Sequence, residues 1–121
     1  MRKDEELAER LLIFAVLIIQ LCGKLPFNTT GSHIHTQLLR CGTSPGANYE
    51  EARGAESKAD FIHKLGVVLK ELKESRYWLK VIQKVSLIKD DSILPVLNEC
   101  EELIAIIAKS IFTARRSQKV K

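Results

Sequence analysis

The segment FIHKLGVVLKELKESRYWLKVI, residues 61–82, decides the fold of this chain because its apolar residues follow one face of a helix. They recur at alternating steps of four and three residues, with Ser75 in the one gap of the series. These apolar positions are Phe61, Leu65, Val68, Leu72, Leu79 and Ile82. Such spacing is typical of a helix that buries one side in a bundle. We therefore predict a long helix from Ser57 to about Ser86.

The segment that follows repeats the pattern and predicts a fourth helix from about residue 90 to Arg116. Its apolar positions are Ile93, Leu97, Cys100, Ile104, Ile107 and Ile111. A residue of 90–92 should cap this helix, and we expect Pro95 in its first turn, where the missing amide hydrogen costs little. Two matching stripes joined by a short connection predict antiparallel neighbours in a helical bundle.

The first half of the chain predicts two more helices. The first should run from about Asp4 to Lys24 and end before Pro26. The second should run from about His33 to Arg53, with Ser32 as its N-cap after a loop of residues 28–31.

Length and composition agree with this arrangement. The 121 residues are 45% hydrophobic and include only six glycines and three prolines, which favours helices over many short strands. We predict one all-α domain over residues 1–121, an antiparallel up-and-down four-helix bundle. Residues from about 117 to 121 should form a basic flexible tail.

The first predicted helix has no polar side in its centre, because eleven of the twelve residues from Leu11 to Cys22 are apolar. The run is shorter than the ~18 to 20 apolar residues that cross a bilayer, so we expect no membrane span. A lone bundle would leave part of this surface exposed, which predicts self-association. The run LIAIIA, residues 103–108, extends the argument to the fourth helix as a second candidate for the subunit contact.

Positive charge is concentrated on the third helix. Between Phe61 and Lys89 there are seven bases and two acids, whereas the rest of the chain has 12 bases and 13 acids. One helical face carries an aromatic ring among four ammonium groups in a row about 20 Å long. These residues are Lys70, Lys73, Tyr77, Lys80 and Lys84. We interpret the row as a nucleic-acid-binding face. The alternative is an ordinary solvated face, but an oligomer would repeat the charges and favour phosphate binding.

Helix 2 carries a polar stripe, whose members are spaced by four, three, four and three residues. They are Gln37, Cys41, Ser44, Asn48 and Glu51. The stripe could be a binding site or an interhelical hydrogen-bond network that fixes the register, and we favour a packing or interface role. No base stands beside Cys41 to activate its thiol.

The remaining reactive residues predict neither a cofactor nor a metal site. The three cysteines lack the close spacing of zinc ligands or of a disulfide framework, so we expect a reducing cytoplasm. His33 and His35 point in different directions on a helix, and His63 has no partner ligand four residues on. We expect no enzymatic activity.

Two blocks carry a family resemblance: QLLRCGTSPGANYEEA, residues 37–52, and AESKADFIHKLGVVLKELKESRYWLKVI, residues 55–82. They resemble a bacterial four-helix-bundle family encoded in intervening sequences of large-subunit ribosomal RNA genes, some members of which are described as ribosomal proteins. The resemblance implies a homopentameric barrel, no known enzymatic activity and a link to RNA. A distant branch, the accessory variability determinant of diversity-generating retroelements, is a basic pentamer that binds nucleic acid, but its local sequence is not seen here.

Two functions from different classes follow. The first is a homo-oligomeric, RNA-associated scaffold whose third helix contacts phosphate. The alternative is a protein-protein interaction module that does not bind nucleic acid. Salt-dependent RNA binding distinguishes them.

Overall fold

The structure, a computed structural model, describes the backbone of residues 1–119 and the side chains of residues 1–117. Over this range the chain forms four long helices joined by short connections. They are α1 (Lys3–Cys22), α2 (Thr29–Arg53), α3 (Lys58–Val85) and α4 (Asp90–Lys119).

The helices pack in an up-and-down order. Each helix contacts the next one along the chain, and α1 also contacts α4, which closes the bundle. The backbones of the two diagonal pairs, α1 with α3 and α2 with α4, do not approach each other over the described residues. The predicted four-helix bundle is therefore confirmed.

The apolar stripes that the spacing predicted on α3 and α4 lie in the core, with Phe61 partly buried against it, and α1 and α2 contribute further residues. Every one of the following side chains is inaccessible to solvent: Leu11, Phe14, Ile18, Leu38, Leu65, Leu72, Leu79, Ile82, Ile93, Leu103 and Ile107. Ser75 occupies the gap in the α3 stripe, and its hydroxyl donates to the carbonyl oxygen of Glu71 at 2.9 Å. The buried hydroxyl thus has a hydrogen-bond partner within its own helix. The core-facing stripe of α3 therefore continues through Ser75.

The start of α2 differs from the prediction. The helix begins at Thr29 rather than near His33, because Asn28 is the N-cap and its side-chain oxygen accepts from the backbone N–H of Gly31 at 2.8 Å. Gly31 is helical and buried, and a Cβ at this position would collide with the carbonyl of Pro26. The glycine therefore serves close packing, not the predicted loop.

The ends of α4 and α1 also differ. Because α4 begins at Asp90, Pro95 lies in its second turn and not in its first. The helix continues past Arg116 to Lys119, where we predicted a flexible tail, and buried Ala114 extends its core-facing side in that direction. Residues 120–121 of the predicted tail lie outside the described residues. At the other end of the chain, α1 stops at Cys22, two residues earlier than predicted, with Gly23 as its C-cap.

Helices α1 and α2 approach closely at two glycines. A Cβ on Gly42 would lie 2.7 Å from both Cγ1 and Cγ2 of Ile18, which is inside contact distance. A Cβ on Gly46 would lie 3.4 Å from the carbonyl oxygen of Leu11. Pro45 is buried between them, and α2 remains helical across it. This segment therefore builds a close contact between α1 and α2.

Candidate nucleic-acid interface

The five residues Lys70, Lys73, Tyr77, Lys80 and Lys84, called the basic stripe below, lie on the outward face of α3. All five side chains are exposed, and Tyr77 is 59% exposed. The opposite side of the same helix carries buried Val68, Leu72, Ser75, Leu79 and Ile82. The core thus fixes the orientation of α3 and directs the four lysines to solvent.

The charges of the basic stripe are not neutralised by the subunit itself. Among the described side chains, none of its four lysines forms an ion pair. Two other bases of α3 face neighbouring helices and are paired: Lys64 with Glu51 of α2 at 2.8 Å and Arg76 with Glu101 of α4 at 3.5 Å. The unpaired lysines therefore remain available to an external anion.

The two acids of this segment of α3 are both paired with Arg40 of α2. Its Nη1 lies 3.1 Å from Oε2 of Glu71, and its Nη2 contacts Oε2 of Glu74. The Glu71 side chain is only 12% exposed and that of Glu74 is 32% exposed. This three-residue group was not predicted from the sequence. Its signal was the single arginine at the centre of helix 2 and two glutamates three residues apart on helix 3.

An aromatic group stands beside Tyr77. The rings of Tyr77 and Trp78 meet edge to face, with centroids 5.0 Å apart and an interplanar angle of 78°. Trp78 is held in turn by its Nε1, which donates to Oε2 of Glu74 at 3.4 Å, and by the edge of His33, whose ring centroid is 5.7 Å away. The exposed phenol of Tyr77 therefore has a supported position between Lys73 and Lys80.

The polar stripe of α2 does not form the single interhelical network that we favoured. Asn48 is half-buried, and its Nδ2 donates to the hydroxyl and the carbonyl oxygen of Ser44, at 2.8 and 3.1 Å, within the same helix. Glu51 is exposed and reaches α3 through Lys64. Gln37 is half-buried and makes no hydrogen bond with the described side chains. Besides the Glu51–Lys64 pair, polar contacts from α2 to α3 are made by Arg40, on the neighbouring face.

The three cysteines are free thiols inside the core. Burial raises the pKa of Cys22 and Cys41 to about 11 and that of Cys100 to about 12. The Sγ of Cys41 lies 3.8 Å from the carbonyl oxygen of Leu38, and the Sγ of Cys100 lies 3.3 Å from that of Leu72. Because a thiolate is the reactive form, these neutral, enclosed thiols are suited to packing.

The described residues offer neither a cluster of metal ligands nor a helix suited to cross a membrane. No group of three or more histidine, cysteine, aspartate or glutamate residues is placed to hold a metal ion in residues 1–117. His33, His35 and His63 are all exposed. None of the helices over the described residues combines the length and the apolar character that a bilayer crossing requires.

The outer surface of α1 is apolar. Four side chains on it, called the α1 outer face below, are 44–57% exposed: Leu12, Ile13, Val16 and Ile19. The corresponding run of α4 behaves differently from the prediction, because Leu103, Ile104 and Ile107 are buried in the core of the subunit itself. Only the alanines of that run, at 105 and 108, are exposed. Four large apolar side chains are thus exposed on α1, against two on α4, Leu94 and Phe112.

These features define a class of protein: an up-and-down four-helix bundle that presents an uncompensated row of lysines on α3. Residues 3–109 match the model of the 23S rRNA-intervening sequence protein family, and the chain belongs to that family. The chain is also similar to a crystal structure from Bacteroides thetaiotaomicron, described as a protein with unknown function from the S23 ribosomal protein family. The two chains are 35% identical, with a TM-score of 0.83, over 91% of this chain and 98% of the other. No significant match occurs among curated proteins. Neither description names a catalytic activity.

Proposed function

We propose that this chain is a non-enzymatic scaffold that binds RNA through the basic stripe of α3. The observation that carries the proposal is the row of four exposed lysines that form no ion pair with the side chains of residues 1–117, while Arg40 pairs with the two glutamates of the same segment. Each phosphate that a lysine neutralises releases counterions, so binding strengthens with every contact. The family description refers to ribosomal RNA, which supports RNA over other polyanions as the partner.

The chemistry of the basic stripe favours contacts to the RNA backbone over contacts to base edges. Lysine is a flexible point charge suited to phosphate, and the stripe contains no arginine or asparagine fork that would read a base. Tyr77 stands at its centre with its ring partly exposed, so it can stack on an unpaired base. The proposed scaffold therefore recognises the charge and shape of RNA more than its sequence.

We propose that the scaffold is a homo-oligomer assembled through the α1 outer face. Four large apolar side chains exposed along one helix favour burial against another surface. The family resemblance favours five subunits. A closed ring would repeat the basic stripe on every subunit and multiply the phosphate contacts. We place the protein in the cytoplasm because its three cysteines are free thiols.

A protein-protein interaction module without nucleic-acid binding is the second candidate function. The α1 outer face favours it, because the same apolar residues could be covered by a different protein. Equilibrium binding to a structured RNA at graded salt concentrations tests the first candidate. A protein that binds no RNA at low salt would leave the second candidate in its place.

A further inference from the structure

Gly66 is a glycine in the interior of α3, and nothing in the described part of the subunit requires a glycine at this position. It lies within α3, far from either end, and is exposed. A Cβ built on it would meet nothing within 4 Å, whereas one on Gly31 or Gly42 would collide with a neighbour. Its φ is not positive, so an alanine fits the backbone equally well. Because glycine destabilises a helix interior relative to alanine, the packing of the subunit gives no reason for its use here.

The position of Gly66 connects it to the basic stripe. It precedes Lys70 by four residues on the outward face of α3, and exposed His63 precedes it by three. The spacing of four and three residues that orders the basic stripe therefore continues through Gly66 to His63. On this line Gly66 forms a notch, with a basic side chain after it and an imidazole before it.

The charge around the notch decides what kind of molecule fits it. The line from His63 to Lys84 carries four lysines and no carboxylate, so a second copy of the same face would bring like charges together. An RNA strand is anionic. It is also narrow enough to pass over Gly66 between His63 and Lys70, each of which lies about one helical turn from the glycine. We propose that the RNA backbone crosses α3 at Gly66, where the missing side chain lets it approach the helix between His63 and Lys70.

This inference rests on the proposed RNA binding, and it is tested by filling the notch. Gly66→Ala and Gly66→Leu are compared with Ala47→Leu, which enlarges an exposed residue of α2. The probe is a fluorescein-labelled RNA hairpin with a single-stranded loop, titrated at low salt. We expect Gly66→Leu to weaken binding about tenfold, the size of one or two lost phosphate contacts, and Ala47→Leu to leave it unchanged.

The alanine variant separates close approach from folding. Gly66→Ala should raise the melting temperature, because alanine is the better helix former, and should weaken RNA binding about threefold. A more stable protein that binds less tightly cannot be explained by partial unfolding. This comparison keeps the test decisive even if the leucine variant folds poorly.

The other outcomes overturn the inference in distinguishable ways. If both Gly66 variants bind like the wild type while replacing the four lysines of the basic stripe abolishes binding, the RNA does not cross at Gly66 and the proposed function stands. If the wild type binds no RNA at low salt, the proposed function fails together with the inference. If the Gly66 variants change only the oligomeric mass, the notch contacts a protein subunit instead.

Discussion

Arg40 of α2 and Glu71 of α3 are joined across the helix interface, with Nη1 of the guanidinium 3.1 Å from Oε2 of the carboxylate. The same guanidinium also contacts Glu74. One arginine therefore draws both acids of this segment to the side of α3 that faces α2. Among the described side chains neither acid pairs with a lysine of the basic stripe, so we expect the Arg40 ion pairs to favour a positive potential at the proposed RNA interface.

Replacement of the arginine should weaken RNA binding without touching the basic stripe. In Arg40→Ala the two carboxylates lose their partner and lie close enough to the lysines to reduce the local potential, since the Debye length is about 8 Å at physiological salt. We expect affinity for RNA to fall about fivefold and stability by about 1 kcal/mol. Fluorescence anisotropy and a denaturant melt measure the two effects.

The matched control removes the freed charges. The triple variant Arg40→Ala, Glu71→Gln, Glu74→Gln should recover most of the wild-type affinity for RNA, because neither acid then opposes phosphate. An Arg40→Ala protein that binds RNA as tightly as the wild type would show that the ion pair has no influence on the interface.

The close approach of α1 and α2 makes Gly42 intolerant of a larger residue. The methyl group of Gly42→Ala would stand 2.7 Å from two carbons of Ile18, so the helices must separate or the isoleucine must change its rotamer. Overpacking of this kind costs roughly 1 to 3 kcal/mol. Thermal or urea unfolding should show the loss. Combining Gly42→Ala with Ile18→Ala, which removes both clashing Cγ atoms, should cost less than the sum of the two single changes, and strict additivity would argue against the clash.

The polar stripe should contribute unequally to stability. Asn48→Ala removes two hydrogen bonds from a half-buried side chain, and we expect it to lower stability by about 1 kcal/mol. Glu51→Ala removes an exposed ion pair and should leave the urea midpoint unchanged. Ser44→Ala serves as the control, since it deletes only one of the two Asn48 contacts. Equal losses at positions 48 and 51 would mean that Glu51 is buried in the assembled protein.

The α1 outer face should govern assembly and not folding. Val16 is 44% exposed in the subunit, so Val16→Glu should leave the helical content intact but dissociate the oligomer, because a charge buried in an interface is costly. Ile18→Glu is the contrasting variant, since Ile18 is fully buried and its replacement should unfold the subunit. Circular dichroism and light scattering separate the two results. A wild-type mass of 13.7 kDa at micromolar concentrations would contradict assembly.

The helices and the basic stripe could be predicted from the sequence because both depend on periodicity. Once the core face of α3 is known from Leu65, Leu72 and Leu79, the opposite face follows from helical geometry. The start of α2 could not be predicted, because Asn28 and Ser32 are both good N-caps. Only the packing of Gly31 against Pro26 selects Asn28.

The ion pairs of Arg40 could not be predicted from the sequence either, but for a different reason. Which residues of α2 meet which residues of α3 depends on the register of the two helices, and periodicity leaves that register open by a full turn. The core fixes it only when side chains of all four helices pack together. The same limit explains why Glu51 was expected in a buried network and is found paired with Lys64 at the surface.

The most direct test of the central claim is a salt titration of RNA binding by the wild type and by the variant Lys70→Ala, Lys73→Ala, Lys80→Ala, Lys84→Ala. A control variant replaces four exposed lysines elsewhere, at 3, 24, 58 and 109, so that the net charge changes equally. If each lysine of the basic stripe neutralises one phosphate, log K should fall with log salt by about 0.7 to 0.9 per contact. We predict that the stripe variant loses about 3 units of that slope per subunit engaged, whereas the control keeps most of it. A stripe variant that binds as tightly as the wild type, or a wild type that binds no RNA at low salt, would contradict the account.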